Sequence, residues 1–519
     1  MLDTISLNLS NMSIGALLGV MGLYGYLISQ ALGSVSGLNL VLSSVLAFAL
    51  SVPQIVIYTI MSRRYPRTGG DYVYVSRTFG GFWGSSLSFM GYTLETTAYL
   101  ALIVLSAVFA IGAVGYFEST FSNGTFFGLS VPVDAGGSAA PQFLLGAALF
   151  IILIGINILR PKFGFKLISI LTIFGIATLL IAIATLLHAG SAGVQSYVNS
   201  AGWTVQTNYL PSGTHDIVSQ ANASLSYATV ANSYVSSTNW VTPALFILPM
   251  IFAFTYPWLN AAPAVASEIK GKTALKWNVP LSAVVAFILL TSSLATLYFV
   301  GGVGFINQAL SSWSISVYYT FNFWTLAMGV AGLGTPLSWV IGLGWIVWNV
   351  GVLAYGIIVI SRYLLAQSFD RFLPERISYV SKRFGSPIIA HAVDLIVTVT
   401  LVALAAFYYG TLSALFGAIL ASMVYFMFVG ISAAAHAVKK ETGGTRLLLG
   451  GAGILNFFIF LYVASEFIAN PGVWGLSTLS YGFVIFSFLF GAAIYLASRS
   501  YHRRHGIDIS LAYKELPPD

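Results

Sequence analysis

Two stretches of the sequence carry residues that could bind a polar solute inside an apolar environment. One runs from Gly15 to Gly25 and contains further glycines at 19 and 22. The other reads Phe-Ala-Phe-Thr-Tyr-Pro-Trp-Leu-Asn at residues 252–260, with additional prolines at 243, 249 and 263. Glycine and proline weaken a helix, and the backbone groups freed by a broken helix can bind a solute. Each stretch also has a purely structural explanation: close helix packing by small residues for the glycine run, and a simple proline kink for residues 252–260. The glycine run taken alone favours packing.

A third candidate is Glu95, the only carboxylate well inside a predicted apolar span. An ionised carboxylate is costly there, so Glu95 should be protonated, paired or directed at a wet cavity. One interpretation is a neutral side chain bonded to neighbouring threonines or backbone groups. The other is a proton carrier or a contact for a substrate amine.

The elements that hold these residues follow from composition. With 57% hydrophobic and 7% charged residues, the chain cannot form a soluble globule, in which about 25% of residues are charged. Lipid cannot satisfy exposed backbone groups, so the long apolar runs must be helices. We therefore predict an all-α integral membrane protein, a single polytopic transport domain over residues 1–519.

Twelve spans are predicted, each boundary being uncertain by about 2 to 4 residues. In order, they cover residues 12–33, 38–60, 82–113, 142–159, 165–187, 243–266, 278–301, 336–363, 387–407, 411–437, 446–468 and 477–498. The gaps 114–141, 188–242 and 302–335 are expected to be solvated outer loops, and the tail after Tyr501 to be short, polar and flexible.

The basic residues fix the predicted orientation. All 22 Lys and Arg residues fall in alternate gaps between spans, at one face of the implied membrane. Positive residues stay on the cytoplasmic side, so both termini are expected to be cytoplasmic in a multi-pass protein of the cell membrane. This topology explains the net charge of +7 better than a nucleic-acid partner does. The chain has no cysteine, which excludes disulfides and thiolate metal sites.

Spans 1 and 6 are equivalent members of two consecutive sets of five helices. An odd number of spans inverts the second set, and paired interruptions in inverted halves indicate a transporter binding site. Taken together, the two stretches therefore favour function over packing. The repeats cover about residues 12–187 and 243–437, followed by two extra helices over 446–498, with the outer loop 188–242 between the repeats.

Three further motifs carry a family resemblance. Residues 65–74 read Tyr-Pro-Arg-Thr-Gly-Gly-Asp-Tyr-Val-Tyr, followed by Phe-Gly at 79–80 and Gly-Tyr at 91–92. Residues 361–364 read Ser-Arg-Tyr-Leu, before Asp-Arg-Phe-Leu-Pro at 370–374 and Gly-Ser-Pro at 385–387. Phe-Ala-Phe at 252–254 is followed by Glu-Ile-Lys at 268–270. In combination, the chain resembles the amino acid, polyamine and organocation permease superfamily.

The resemblance implies a five-plus-five inverted repeat with two extra helices that works by alternating access. It implies that the unwound parts of spans 1 and 6 hold the carboxylate and amino group of an amino acid, since helix amino ends suit an anion and exposed carbonyls suit an ammonium. The corresponding substrate-binding candidates are Gly15, Ala16, Gly19, Gly22, Phe252, Ala253, Phe254, Thr255, Tyr256 and Trp258. Glu268, Lys270 and Asn349 are gate candidates, the first two as an ion pair or gate at the cytoplasmic end.

Departures from the family pattern bear on coupling. Proton-coupled members carry a lysine in span 5 where this chain places Gly175. The related sodium site uses hydroxyls in span 8, yet residues 341–360 contain no Ser or Thr, and Asn349 is the main uncharged hydrogen-bonding side chain there apart from Tyr and Trp. Neither the lysine of proton-coupled members nor the hydroxyls of the sodium site are therefore present at these positions, and Glu95 is the candidate for carrying a proton.

The leading hypothesis is a secondary active permease for amino acids or related amines, not an enzyme, with proton coupling favoured over sodium coupling. Alternatives are an exchanger or uncoupled facilitator of the same fold, and a non-transporting membrane receptor or scaffold subunit. No cofactor and no metal are expected. The partners are a small-molecule substrate and membrane lipid, with no nucleic acid, and the sequence does not specify the oligomeric state.

Overall fold

The computed structural model describes residues 1–21, 39–118, 125–126, 129–130, 139–199, 250–311, 321–408 and 414–514. Within these ranges, eleven helices are long and apolar enough to cross a membrane. The protein is an all-α integral membrane protein, as predicted. Residues 250–266 of the sixth predicted span are divided into short pieces, and no helix from them is among the eleven.

Nine spans lie close to their predicted positions. Span 2 is Leu40–Arg64, span 4 is Ala139–Leu159, span 5 is Pro161–Asn199, span 7 is Lys272–Gly301, span 8 is Pro336–Phe369, span 9 is Ile388–Phe407, span 10 is Gly417–Lys440, span 11 is Gly443–Ala469 and span 12 is Thr478–Arg504. Local sequence explains several of their ends, because side chains cap the free amides of a first helical turn. Asn39 accepts a bond from the Leu42 amide at 2.9 Å, and Thr335 caps span 8 ahead of Pro336.

Span 1 begins earlier than predicted and is broken at a different place. A helix over Leu2–Asn11 stops at Met12 and Ser13, and helix resumes over residues 14–21. Ser13 has a φ of 43°, a left-handed conformation that is unusual for a residue with a side chain. The predicted start at residue 12 is thus wrong, because the polar residues before it are buried against protein and do not face lipid.

Span 6 is interrupted where the sequence predicted. Residues 250–254 are helical, Thr255–Pro257 form a turn, and residues 258–260 belong to no helix or strand. A short helix over Ala261–Ala264 and a 3-10 turn over Ala266–Glu268 follow. Pro257 cannot donate a helical bond, which favours the break at this point.

Span 3 starts eleven residues before its predicted start at residue 82. It comprises a helix over Asp71–Ser88, a π-helical turn over Phe89–Leu94 and a helix over Glu95–Phe117. Gly80, with a φ of 75°, marks a kink inside the first of these helices. Hydropathy missed the first turns because their buried polar groups contact other helices instead of lipid.

Two parts expected to be solvated or flexible are ordered. The outer gap 302–335 contains helices over Val303–Ser311 and Phe323–Ala331, and residues 323–329 of the second are buried. After span 12, a 3-10 turn over Ile509–Tyr513 docks on span 3, where the Ser85 hydroxyl donates to the Tyr513 hydroxyl oxygen at 3.0 Å. Both expectations were therefore wrong. In the gap 114–141, two-residue strands Thr125–Phe126 and Leu129–Ser130 pair antiparallel.

Span 8 is central to the packing. It contacts spans 1, 3, 4, 5 and 9, and its residues from Val352 to Ser368 are buried. Span 2 packs on spans 7 and 11, and span 10 packs on spans 3 and 11. The breaks in spans 1 and 6 are thus enclosed by spans 3 and 8.

Candidate functional site

The breaks in spans 1 and 6 meet. The Ser13 hydroxyl oxygen lies 3.4 Å from the Phe254 carbonyl oxygen and 3.3 Å from the Tyr99 hydroxyl oxygen. Ser13 belongs to the non-helical step of span 1, Phe254 ends the first helix of span 6, and Tyr99 comes from span 3. Three elements therefore converge where helical backbone bonding is interrupted. Ser13 and Tyr99 were not predicted as site residues, since neither Gly nor Pro marks them.

Aromatic rings line this junction. Trp258 stacks on Tyr99, with ring centroids 5.5 Å apart and planes 12° from parallel. Its indole NH donates to the Ala253 carbonyl at 2.7 Å, which ties the non-helical residues after the turn to the helix before it. Thr255 is buried, and its hydroxyl has no hydrogen bond within the described ranges. The structure thus brings Ala253, Thr255 and Trp258, which were all predicted, to one place.

Other predicted residues of span 6 face away from the junction. The Tyr256 hydroxyl shares a hydrogen bond of 2.9 Å with the Ser44 hydroxyl of span 2. Phe252 packs on Phe460 of span 11, at a centroid distance of 5.3 Å. Their positions suggest that they hold the broken span against its neighbours.

The described glycines of span 1 lie inside a helix. A Cβ at Gly15 would come within 2.1 Å of the Trp348 ring, and one at Gly19 within 2.1 Å of the Trp345 indole nitrogen. Gly15 and Gly19 therefore permit close packing of span 8, which is the purely structural explanation of this glycine run. Ala16, between them, is buried. Gly22 lies outside the described residues.

Trp348 also fills the place next to Gly175 of span 5. Its indole NH donates to the Gly175 carbonyl at 3.1 Å, and a Cβ at Gly175 would meet the ring at 3.1 Å. The other polar side chain of this part of span 8, Asn349, donates to the Trp345 carbonyl at 3.0 Å and accepts from the Ser106 hydroxyl at 2.8 Å. Asn349 thereby joins span 8 to span 3.

Glu95 is fully buried, one helical turn before Tyr99. Its Oε2 accepts a bond from the Thr96 hydroxyl at 3.1 Å, whereas Oε1 has no hydrogen-bond partner in the described part of the chain. The Ser422 hydroxyl also faces the carboxyl group, and its oxygen lies 3.2 and 3.3 Å from the carbonyl oxygens of Gly91 and Ala418, so its single proton has three acceptors within reach. One carboxyl oxygen beside the junction is thus left for another donor.

Glu268 forms an ion pair, but with Arg362 and not with Lys270. Arg362 Nε and Nη2 donate to its two oxygens at 2.8 and 3.1 Å. The pair joins the end of span 6 to span 8, on the side of the bundle that carries the basic residues, hereafter the basic end. The predicted Glu268–Lys270 pair is wrong, and its arginine partner is 94 residues away in sequence.

Asp71, a second buried carboxylate, lies in the motif at residues 65–74 but was not predicted as a site residue. Its oxygens accept bonds from the hydroxyls of Tyr58, at 2.6 Å, and Tyr363. The Asn260 amide nitrogen lies 3.4 Å from Oδ2, and the Asn260 oxygen accepts from the Asn11 amide at 3.0 Å. Asp71 is therefore linked to spans 2, 8, 6 and 1, a convergence that no local pattern reveals.

The interrupted spans, the enclosing helices and the convergent polar groups define a membrane transporter. The chain belongs to the amino acid permease family, whose model matches residues 6–494. Among solved structures, the chain is similar to the crystal structure of MhsT in complex with L-phenylalanine. The similarity has a TM-score of 0.51 at 13% identity and covers 89% of this chain and 98% of that one. No curated protein matches the sequence.

Proposed function

We propose that this permease is a secondary transporter of amino acids or closely related amines that works by alternating access. The observation that carries the proposal is the meeting of the breaks in spans 1 and 6 at Ser13 and Phe254, beside the free oxygen of Glu95. Backbone amides and carbonyls at such breaks suit the carboxylate and ammonium of an amino acid. The similar fold of MhsT holds L-phenylalanine, which favours the same ligand class here.

The surroundings of the junction favour an apolar or aromatic substrate side chain. Tyr99 and Trp258 supply large stacked aromatic surfaces next to the breaks. No Lys or Arg in the described residues is bonded to Ser13, Thr255 or Trp258, so the substrate carboxylate would be received by backbone amides and hydroxyls.

We infer that protons, not sodium ions, drive uptake. A sodium site needs several oxygen ligands. In span 8, residues 341–360 offer no hydroxyl from Ser or Thr, and the Asn349 amide already bonds Ser106 and Trp345. The Trp348 indole fills the space between Gly15 and Gly175. Glu95 is buried, and only one of its two carboxyl oxygens has a hydrogen-bond partner in the described part of the chain, so it supplies a group that could carry a proton.

An exchanger or an uncoupled facilitator would share this geometry and would differ only in its driving force. A non-transporting receptor or scaffold is disfavoured because the chain belongs to a permease family.

A screen of thermal stability tests the proposed substrate class. Purified protein should be heated with single amino acids, polyamines and other small amines, because a ligand that binds only the folded state raises the unfolding temperature. We expect aromatic and large apolar amino acids to stabilise the protein and their carboxamides to stabilise it less. Stabilisation by none of these compounds would contradict the proposal.

A further inference from the structure

We propose that Asp71 is a proton-sensitive latch that holds the broken segments of spans 1 and 6 together at the basic end and releases them when it takes up a proton. The role of the latch in transport rests on the proposed alternating access, whereas its existence does not. It is a positioning residue, since its carboxylate acts on the binding junction through Asn260.

The first argument is the bonding around the carboxylate. Asp71 is fully buried, and its two oxygens face four donors: the hydroxyls of Tyr58, Tyr363 and Tyr425 and the amide of Asn260. An ionised carboxylate only accepts hydrogen bonds, so it matches a surrounding of donors. Protonation turns one accepting oxygen into a donor. The tyrosine hydroxyls can turn to accept the new proton, whereas the Asn260 amide nitrogen can only donate. Its contact, at 3.4 Å, is also longer than the 2.6 Å bond from Tyr58, so it is the one most easily lost.

The second argument is the absence of a compensating cation. Within the described residues Asp71 forms no ion pair. The titratable groups that face it are tyrosines from four elements: Tyr58 of span 2, Tyr74 and Tyr92 of span 3, Tyr363 of span 8 and Tyr425 of span 10. None of them carries a positive charge in either form. The charge on Asp71 is therefore stabilised by hydrogen bonds alone, and a proton is the simplest way to remove it.

The third argument is where the bonds lead. Asn260 is the last residue before the short helix of span 6, and Asn11 is the last helical residue before the break in span 1. Their side chains are bonded at 3.0 Å, and Asn8 accepts a second bond from the Ala262 amide at 2.9 Å. The helix Leu2–Asn11 is thereby tied to the short helix Ala261–Ala264 and, through Asn260, to Asp71.

The loop that begins span 3 adds a backbone contact to the same short helix. The Gly69 amide donates to the Ala264 carbonyl at 2.9 Å, and a Cβ at Gly70 would meet the Ala264 amide nitrogen at 2.9 Å. Asp71 is the next residue. Asp71 is therefore joined to span 6 both by its side chain, through Asn260, and by the backbone of the two residues before it.

Thiol labelling tests the latch directly, because the chain has no cysteine of its own. Ser6 lies on the helix Leu2–Asn11 and is 1% exposed, so Ser6→Cys should react with a maleimide only when that helix moves away. In purified protein, Asp71→Asn should raise the labelling rate about tenfold or more, since a bond to a charged group is lost and labelling follows the open population. Asp394→Asn is the matched control, because among the described residues that buried carboxylate bonds only Thr398 of its own helix.

The proton itself is tested without changing Asp71. Lowering the pH should raise the labelling of Ser6→Cys relative to that of Leu511→Cys, which is 56% exposed and corrects for the reactivity of the thiol. The pH effect should vanish with Asp71→Asn. If Asp71→Asn does not fold, Asn260→Ala removes the same link of hydrogen bonds between Asp71 and Asn11 and should raise labelling at neutral pH.

Labelling that is unchanged by pH and by these substitutions would overturn the latch. Because this readout needs no substrate, its failure would leave the proposed transport activity untouched. Equally, a latch could be found in a protein that transports none of the compounds tested.

Discussion

Glu95 is the residue on which the proposed coupling depends most. It is buried next to Tyr99, and one of its oxygens has no partner within the described ranges. Replacement by glutamine keeps the shape but removes the titratable proton. We expect Glu95→Gln to leave expression and folding intact, to abolish most of the pH dependence of uptake and to lower its rate at acid pH.

The measurement is uptake into proteoliposomes over a range of external pH. Glu466→Gln is a suitable control, because that carboxyl group bonds Asn470 at the far end of span 11. Unchanged uptake and unchanged pH dependence in Glu95→Gln would remove Glu95 from the mechanism.

Some residues that lie at or beside the junction of the two breaks could be predicted from the sequence, whereas others could not. Glu95, Trp258 and Thr255 could be predicted because a carboxylate in a span and a proline-broken aromatic segment are unusual locally. Asp71, Asn260 and Ser13 could not, since their significance depends on partners up to 292 residues away. The ion-pair partner of Glu268 was misassigned for the same reason: nearness in sequence favoured Lys270 over Arg362.

Among the elements, span 1 contains glycines that were predicted to bind substrate but that serve close packing against span 8. Gly15 and Gly19 accommodate the indoles of Trp348 and Trp345, while the break itself occurs at Met12 and Ser13. The polar helix Leu2–Asn11 lies inside the protein, and its low hydrophobicity hid it from a search for apolar runs. The hydropathy pattern thus located the lipid-facing spans well and the enclosed one poorly.

This packing predicts that Gly15→Ala destabilises the protein. Its Cβ would overlap the Trp348 ring, and overpacking of this kind costs about 1–3 kcal/mol. Thermal unfolding of the purified variant would measure the loss. Gly155→Ala, in span 4, is the matched control, since nothing lies within 4 Å of its added Cβ. Equal unfolding temperatures for the two variants would contradict the packing of span 8 on span 1.

The helix Phe323–Ala331 extends the enclosure on the side opposite the basic end. The Trp324 indole donates to the Gly15 carbonyl at 2.8 Å, just beyond the break in span 1. Asn322 forms a capping box with Thr325, a signal that could have identified this helix in the sequence. Its residues are buried, which explains why the outer gap is not a solvated loop.

For the molecule as a whole, the arrangement of spans agrees with the predicted repeat without establishing it. Spans 2 and 7, 3 and 8, and 4 and 9 would be equivalent in two inverted halves, and each of these pairs is in contact. Contact between equivalent helices is expected where a two-fold axis relates the halves. The inverted repeat remains a prediction.

Orientation is a further prediction about the whole molecule. The basic end should face the cytoplasm, because positive residues are retained there. A single cysteine replacing the exposed Lys382 should be protected from an impermeant maleimide in intact cells, whereas one replacing Leu333, in the opposite loop, should react. The reverse pattern of labelling would contradict the orientation.

The central claim is that two interrupted spans in this permease bind an amino acid or amine and carry it across a membrane. Uptake of a labelled compound into proteoliposomes, chosen from those that stabilise the protein, tests it most directly. We predict accumulation under an inward proton gradient, collapse of that accumulation by a protonophore, and no stimulation by a sodium gradient. Uptake of no amino acid or amine under either gradient would contradict the claim.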